Sequence, residues 1–192
     1  MYIMTEIINL VYQLFATPFF ACENCNLDIK KLEKECLDFM SKTPSADFSN
    51  VGGYQGQDFE NDDLFEFIKN NLPADENKPI KQFRIASWVN VNKQDNYNSR
   101  HHHDPHAGTF LSGVFYVKCP PDCGAIRFYD PRPHIDTAPD MQYFYDSKTH
   151  FKIFPQENML LMFPSWLEHD VEPNKSKEER IAISFNILDI EY

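Results

Sequence analysis

Residues 180–188 read RIAISFNIL, and their alternation sets the fold class. Ile181, Ile183, Phe185 and Ile187 fall on one side of an extended chain. Arg180, Ala182, Ser184 and Asn186 fall on the other. A period of two is the signature of a strand with one buried apolar face. The polar side has two readings, the wall of an interior site or a sheet edge facing water, and the pattern alone does not choose between them. Working back along the chain, 83–92, 110–117, 125–129, 151–154, 159–163 and 167–171 also read as short strands, punctuated by Pro and Asp/Asn clusters.

The N-terminal part has a different character. Ile29, Leu32, Cys36, Phe39 and Met40 recur at helical spacing behind Asn26, a candidate cap, and Asp28, placed in the first turn. Leu64, Phe65, Ile68 and Leu72 mark a second helix that starts at Asn61 and stops at Pro73. The apolar residues of 10–15 suggest a buried first strand. Helices followed by a run of short strands predict an α+β chain, mainly β, whose C-terminal part is a double-sheet jelly roll. The expected organisation is a single domain over 1–192, with a strand and supporting helices in 1–79 and the jelly-roll core in 80–192.

Composition narrows the function classes. Aromatics make up 15% of the 192 residues and hydrophobics 42%, as suits a sheet protein with a real core rather than a disordered chain. A formal net charge of -11 repels phosphate backbones and disfavours non-specific nucleic-acid binding. The 7–20 stretch is too interrupted to span a bilayer and lacks the basic start of a signal peptide. Five cysteines, in a lone CxxC (22–25), a lone CxxxC (119–123) and Cys36, read as reduced thiols of a cytoplasm, not as a zinc site.

The histidines carry the chemistry. His101, His102, His103 and His106 surround Asp104 just before the 110–117 strand, and His169 follows an apolar segment far downstream. Alternate residues of an extended segment point the same way, so His102 and Asp104 can reach one ion together, with His169 as third ligand. Two imidazoles and a carboxylate on one face of an octahedral ion leave three positions open, the facial triad of non-haem iron(II) sites. A lone His-x-Asp is more often a solvated polar loop; the order His-x-Asp, strands, His, Arg raises its weight here. Arg180 presents a fork that matches a carboxylate in two bonds.

These stretches resemble the Fe(II)/2-oxoglutarate oxygenase superfamily, near its prolyl-4-hydroxylase-like branch, and most of all the small 2-oxoglutarate/iron oxygenases of bacteria and their phages. The resemblance rests on SNVGGYQ (49–55), SWVNVN (87–92), LSGVFYV (111–117), YDPR (129–132), FPSWLEH (163–169) and ERIAISFN (179–186). It implies a distorted double-stranded β-helix, with His102, Asp104 and His169 as iron ligands. It further implies that Arg180 holds the distal carboxylate of 2-oxoglutarate, aided by Tyr116 or Ser184. The implied reaction is hydroxylation of a peptidyl side chain or small metabolite, coupled to decarboxylation of 2-oxoglutarate by dioxygen, with ascorbate as an optional reductant. The implied setting is a bacterial cytoplasm, with a phage or viral origin allowed and the oligomeric state open, a dimer included.

One departure bears on the ligands. The small family's first motif often reads His-x-His followed by proline, whereas here it is HHHDPHAG. His101 with His103, and His103 with His106, are therefore competing pairs; the wider superfamily's His-x-Asp favours His102 and Asp104. Trp88 and Trp166 read as core aromatics or, alternatively, as walls of a pocket, with Asn90 and Asn92 on the Trp88 face. Arg132 reads as a substrate contact or a loop residue. The alternative to an oxygenase is a cupin-like jelly roll that binds metal, or nothing, without redox chemistry; a cupin-type epimerase or dioxygenase needing no 2-oxoglutarate is a third class.

Overall fold

The structure is a computed structural model, and it describes residues 16–73, 79–132 and 150–191. The strand expected at 10–15 lies outside these residues. Eleven strands and two α-helices occur among them: β1 (Phe20–Cys22), α1 (Ile29–Met40), β2 (Asn50–Val51), β3 (Tyr54–Gln57), α2 (Asp62–Asn70), β4 (Gln82–Asn92), β5 (Tyr97–His101), β6 (Thr109–Lys118), β7 (Ile126–Tyr129), β8 (His150–Ile153), β9 (Leu160–Pro164), β10 (His169–Val171) and β11 (Arg180–Glu191). They form a six-stranded sheet, β1-β9-β6-β11-β4-β3, and a five-stranded sheet, β2-β5-β10-β7-β8. The expected α+β, mainly β jelly roll is what is found, with the two sheets left unclosed.

Both helices sit where their periodicity places them, with one change of cap. Asp28, not Asn26, caps α1, its carboxylate accepting the Lys31 N–H at 3.1 Å. Asn26 instead adopts a left-handed φ of 56°. The next residue, Leu27, is tied by both backbone groups to the Asn158 amide, so the loop is fixed before the helix can start. Asn61 caps α2 as expected, accepting from Leu64 N at 2.8 Å.

The alternation of β11 organises the large sheet. β11 is hydrogen-bonded on both sides, to β4 and to β6, so neither of its sides is a free edge. Ile181, Ile183, Phe185 and Ile187 point to the back, where Val89, Val91, Phe115 and Met162 join them under Leu32, Cys36, Leu64 and Ile68 of the helices. This is the main core. Arg180, Ser184 and Asn186 face the small sheet, together with Trp88, Asn90 and Asn92 of β4 and Ser112 and Tyr116 of β6. A smaller apolar cluster, with Val114, Ile126, Phe128, Leu161 and Phe163, fills the rest of the gap between the sheets. All five cysteines are unbridged, and among the described residues no helix is long and apolar enough to cross a membrane.

Candidate metal centre

The histidine run begins as a strand, not as a loop. β5 pairs antiparallel with β10, and the register sets His101 directly across from His169, with ring centroids 4.3 Å apart. His103 lies two residues on, on the same side of the chain, its ring 5.3 Å from that of His101 and 5.4 Å from that of His169. One ring nitrogen from each of the three can be chosen so that all lie within 4.8 Å of one another.

Hydrogen bonds fix how these rings face. His101 Nδ1 donates to the Ser99 carbonyl at 2.7 Å, and His169 Nδ1 to the Leu167 carbonyl at 2.9 Å. Each bond places the proton on Nδ1 and leaves the Nε2 lone pair free, the arrangement that metal-ligating histidines use. His103 Nδ1 lies 3.4 Å from the Asn186 amide, which Ser112 Oγ holds at 2.8 Å. Turned by 180°, the same amide offers its oxygen to an Nδ1 proton, and the Ser112 hydroxyl can accept as well as donate. Burial, and then the neighbouring imidazoles, push the His169 pKa down to about 3 and that of His103 to about 4. Burial lowers His101 too. All three are neutral at pH 7, as ligands must be.

The structure therefore brings together His101, His103 and His169, and leaves His102 and Asp104 outside this cluster. Both are exposed. The Asp104 carboxylate caps the short 3-10 turn Pro105–Ala107, accepting the His106 N–H at 2.8 Å. The cause is parity: once β5 pairs with β10 so that residue 101 faces 169, residues 102 and 104 must point away. His106 sits exposed on the turn, and His134 lies outside the described residues.

The triad stands between two spaces. On the inner side is a cavity of about 50 Å³ that reaches to Arg180, Tyr116, Ser184, Asn90 and Asn92. On the outer side is an open cleft of about 520 Å³. His101, His103 and Trp88 border both. Arg180 is 2% exposed and donates to the Cys123 carbonyl at 2.5 Å, with the Gly124 and Glu172 carbonyls at 3.5 Å. Among the described residues no carboxylate forms an ion pair with it. Asn90 donates to Ser184 Oγ at 2.9 Å, while Asn90 Oδ1 and Asn92 Nδ2 are buried without a partner. A buried cation lacking a counter-charge is costly, as are orphaned amides. Their presence in one cavity suits a small anionic, oxygen-rich ligand.

Three neutral imidazoles beside such a cavity fit a divalent transition ion such as Fe(II). Sequence reading missed the part that decides this geometry. Tyr97–His101 is too polar to show as a strand, and Ser112 with Asn186 gave no signal of supporting a ligand. Trp88 is a pocket wall, and Trp166 is 42% exposed, outside the core. Arg132 bonds to Asp130.

A family model described as "Putative 2OG-Fe(II) oxygenase" matches residues 86–186, more than half of the chain. Comparison with curated protein sequences gives no match. Among solved structures, a Pseudomonas putida prolyl-4-hydroxylase is similar with a TM-score of 0.61 and 15% identity, covering 91% of this chain and 94% of that one. A Trichoplax adhaerens prolyl hydroxylase, in complex with a hypoxia inducible factor oxygen degradation domain peptide fragment, gives 0.65 and 16%, over 92% and 86%. HygX from Streptomyces hygroscopicus, with nickel, 2-oxoglutarate and hygromycin B bound, gives 0.61 and 11%, over 90% and 83%. At these identities the likeness is one of fold.

Proposed function

The chain belongs to this 2OG-Fe(II) oxygenase family, and on that premise we propose that it is an iron(II)- and 2-oxoglutarate-dependent hydroxylase with His101, His103 and His169 as its metal ligands. One observation carries the reading: three imidazoles, His169 buried and His101 and His103 half-buried, meet at the junction between a cavity ended by an arginine with no ion-pair partner among the described residues and a cleft open to solvent. The inner cavity takes the cosubstrate and the outer cleft the primary substrate. When bound, ferrous iron with 2-oxoglutarate and dioxygen supplies the oxidation, in which a substrate C–H becomes C–OH while 2-oxoglutarate becomes succinate and carbon dioxide.

The residues of the chain do the positioning. Ser99 and Leu167 carbonyls hold two imidazoles with Nε2 inward. Asn186 and Ser112 steady the third. Arg180 receives the distal carboxylate by paired hydrogen bonds. Tyr116, fully buried with its pKa raised by that burial, keeps its proton and can donate it to the same carboxylate. Ser184, already accepting from Asn90, has its hydroxyl hydrogen to give. Asn90 Oδ1 and Asn92 Nδ2 gain partners when the cavity fills.

Three neutral ligands leave two positive charges on the ion where a carboxylate triad leaves one. The dianionic cosubstrate offsets them, so this site depends on 2-oxoglutarate for charge balance more than a His-x-Asp site does. The test is anaerobic addition of iron(II) and 2-oxoglutarate, followed by admission of oxygen. A weak visible charge-transfer band, then succinate release, supports the proposal; neither band nor succinate would leave a cupin-like binding protein as the reading.

A further inference from the structure

We propose that the outer cleft binds an uncharged, extended peptide segment, and that the side-chain amides of Gln55 and Gln57 recognise its backbone. The reaction at that peptide rests on the oxygenase reading; the binding does not.

The register of β3 on β4 pairs Gln55 with Asn90 and Gln57 with Trp88. Both glutamines therefore lie on the site-facing side of the large sheet, and both line the cleft beside His101 and His103. Gln55 is only 5% exposed, yet its Oε1 has no hydrogen-bond partner; Gln57 Nε2 is likewise buried and unpartnered. Buried polar atoms are nearly always paired, and an orphan costs free energy comparable to a lost hydrogen bond. Two such atoms on one strand, an acceptor and a donor, belong to side chains that line a cleft next to the metal ligands, and they mark a surface shaped for something that supplies a donor and an acceptor.

Spacing and charge say what that is. Residues i and i+2 of a strand are about 6.6 Å apart, and so are the like-facing peptide groups of any extended backbone. The two glutamine amides thus match the two-residue repeat of a peptide, each able to give and take one hydrogen bond. Stacked nucleobases repeat at about half that distance, roughly 3.4 Å per nucleotide of a strand. Among the described residues no Asp, Glu, Lys or Arg lines the cleft, and Phe48, 71% exposed, faces it with Trp88. The cleft thus offers no counter-ion to a charged side chain or a phosphate, and the net charge of -11 repels nucleic acid. The aromatic pair gives apolar contact to the neutral side chains between the recognised peptide groups.

The probe is a set of acetylated, amidated pentapeptides built from Ala, Ser, Thr, Pro, Val, Asn and Gln, with versions carrying one Asp or one Lys, and adenosine as a separate arm. The chain has two tryptophans, so a Trp166→Phe background makes Trp88 the reporter. Binding is read from its fluorescence in iron- and 2-oxoglutarate-loaded protein under nitrogen, and in metal-free protein. The expected result is saturable quenching by uncharged peptides and binding roughly tenfold or more weaker with one charge added. Gln55→Met and Gln57→Met should each weaken binding about 3- to 10-fold, the effect of one net hydrogen bond. Their melting temperatures should hold or rise, because each removes an orphan. Adenosine binding better than any peptide, peptide affinity unchanged in both variants, or melting temperatures lowered by both, would overturn the proposal. Loss of the iron/2-oxoglutarate band with peptide quenching intact would instead count against the oxygenase reading alone.

Discussion

His101 and His169 are cross-strand partners, their rings 4.3 Å apart, and each donates its Nδ1 proton to the carbonyl two residues before it. The strand pairing thereby sets the place of each imidazole, and the hydrogen bond to its own chain sets the tautomer. With His103 two residues beyond, the candidate ligand set follows from the pairing of β5 with β10.

His101→Ala, His103→Ala and His169→Ala should each lose iron(II) affinity by more than the roughly 10- to 100-fold that loss of a supporting group costs. His102→Ala and Asp104→Ala should bind near the wild-type level. Equilibrium dialysis with iron(II) under nitrogen measures both. If Asp104→Ala lost the metal and His101→Ala kept it, the triad would be the His-x-Asp set instead.

Asn186 should act through His103. Asn186→Leu removes the amide 3.4 Å from Nδ1 and is expected to weaken metal binding by about 10- to 100-fold. Asn186→Asp should restore most of it, since a carboxylate accepts the Nδ1 proton. Equal affinity in the leucine variant and the wild type would show that the His103 ring is held by other contacts.

Arg180 is expected to govern 2-oxoglutarate affinity. A desolvated bidentate pair is worth about 2–4 kcal/mol, or roughly thirty- to eight-hundred-fold. Because the guanidinium also donates to backbone carbonyls of the 123–124 loop and of Glu172, Arg180→Leu is expected to lower stability as well. Arg180→Lys keeps the charge and is the cleaner variant; it should recover only part of the affinity. Anaerobic titration of iron-loaded protein, with near-ultraviolet circular dichroism as the fold check, separates the two effects. Unchanged affinity in Arg180→Lys and Arg180→Leu alike would place the cosubstrate elsewhere.

Metal-free protein should lose stability as the pH falls from 6.5 to 4.5. The folded pKa values of His103 and His169 lie at about 4 and about 3, below the unfolded value of 6.5. The unfolded chain thus binds more protons in this window, and stability rises with pH through it, reaching its full value above pH 6.5. The carboxylates with lowered pKa, Asp38, Asp130, Asp170 and Glu172, lose their contribution mainly below the window. Urea midpoints across it should fall by an amount worth a few kcal/mol, since each tenfold difference in proton affinity between the folded and unfolded chain is worth about 1.4 kcal/mol. A flat profile would mean that the imidazoles accept protons freely in the folded state.

Gly113 should be intolerant of a side chain for reasons of packing alone. A Cβ there would stand 2.3 Å from the Phe185 ring and 2.7 Å from the Leu161 carbonyl oxygen. The ring could turn, but the carbonyl belongs to the β6–β9 pairing. Gly113→Ala is expected to cost about 1–3 kcal/mol, seen as a lower thermal midpoint in metal-free and metal-loaded protein alike. A midpoint equal to wild type would show that the sheet yields there.

The sequence by itself determined the strand at 180–188 with its two unlike faces, both helices, the jelly-roll class, the singular Arg180 and the distal His169. Each of these is carried by local pattern: period-two alternation, helical spacing, caps and a family motif. What lay beyond it was which of four clustered histidines face inward. That is a matter of parity, and a shift of one residue exchanges HxH for HxD. Only the hydrogen bonds between β5 and β10 fix it, and β5 shows no apolar alternation because Tyr97–His101 has a single buried residue, Asn98. Likewise the polar face of β11 became the wall of a site only because strands bond to it on both sides and a second sheet covers it. Both choices depend on partners more than fifty residues away in the chain, which no local period can report.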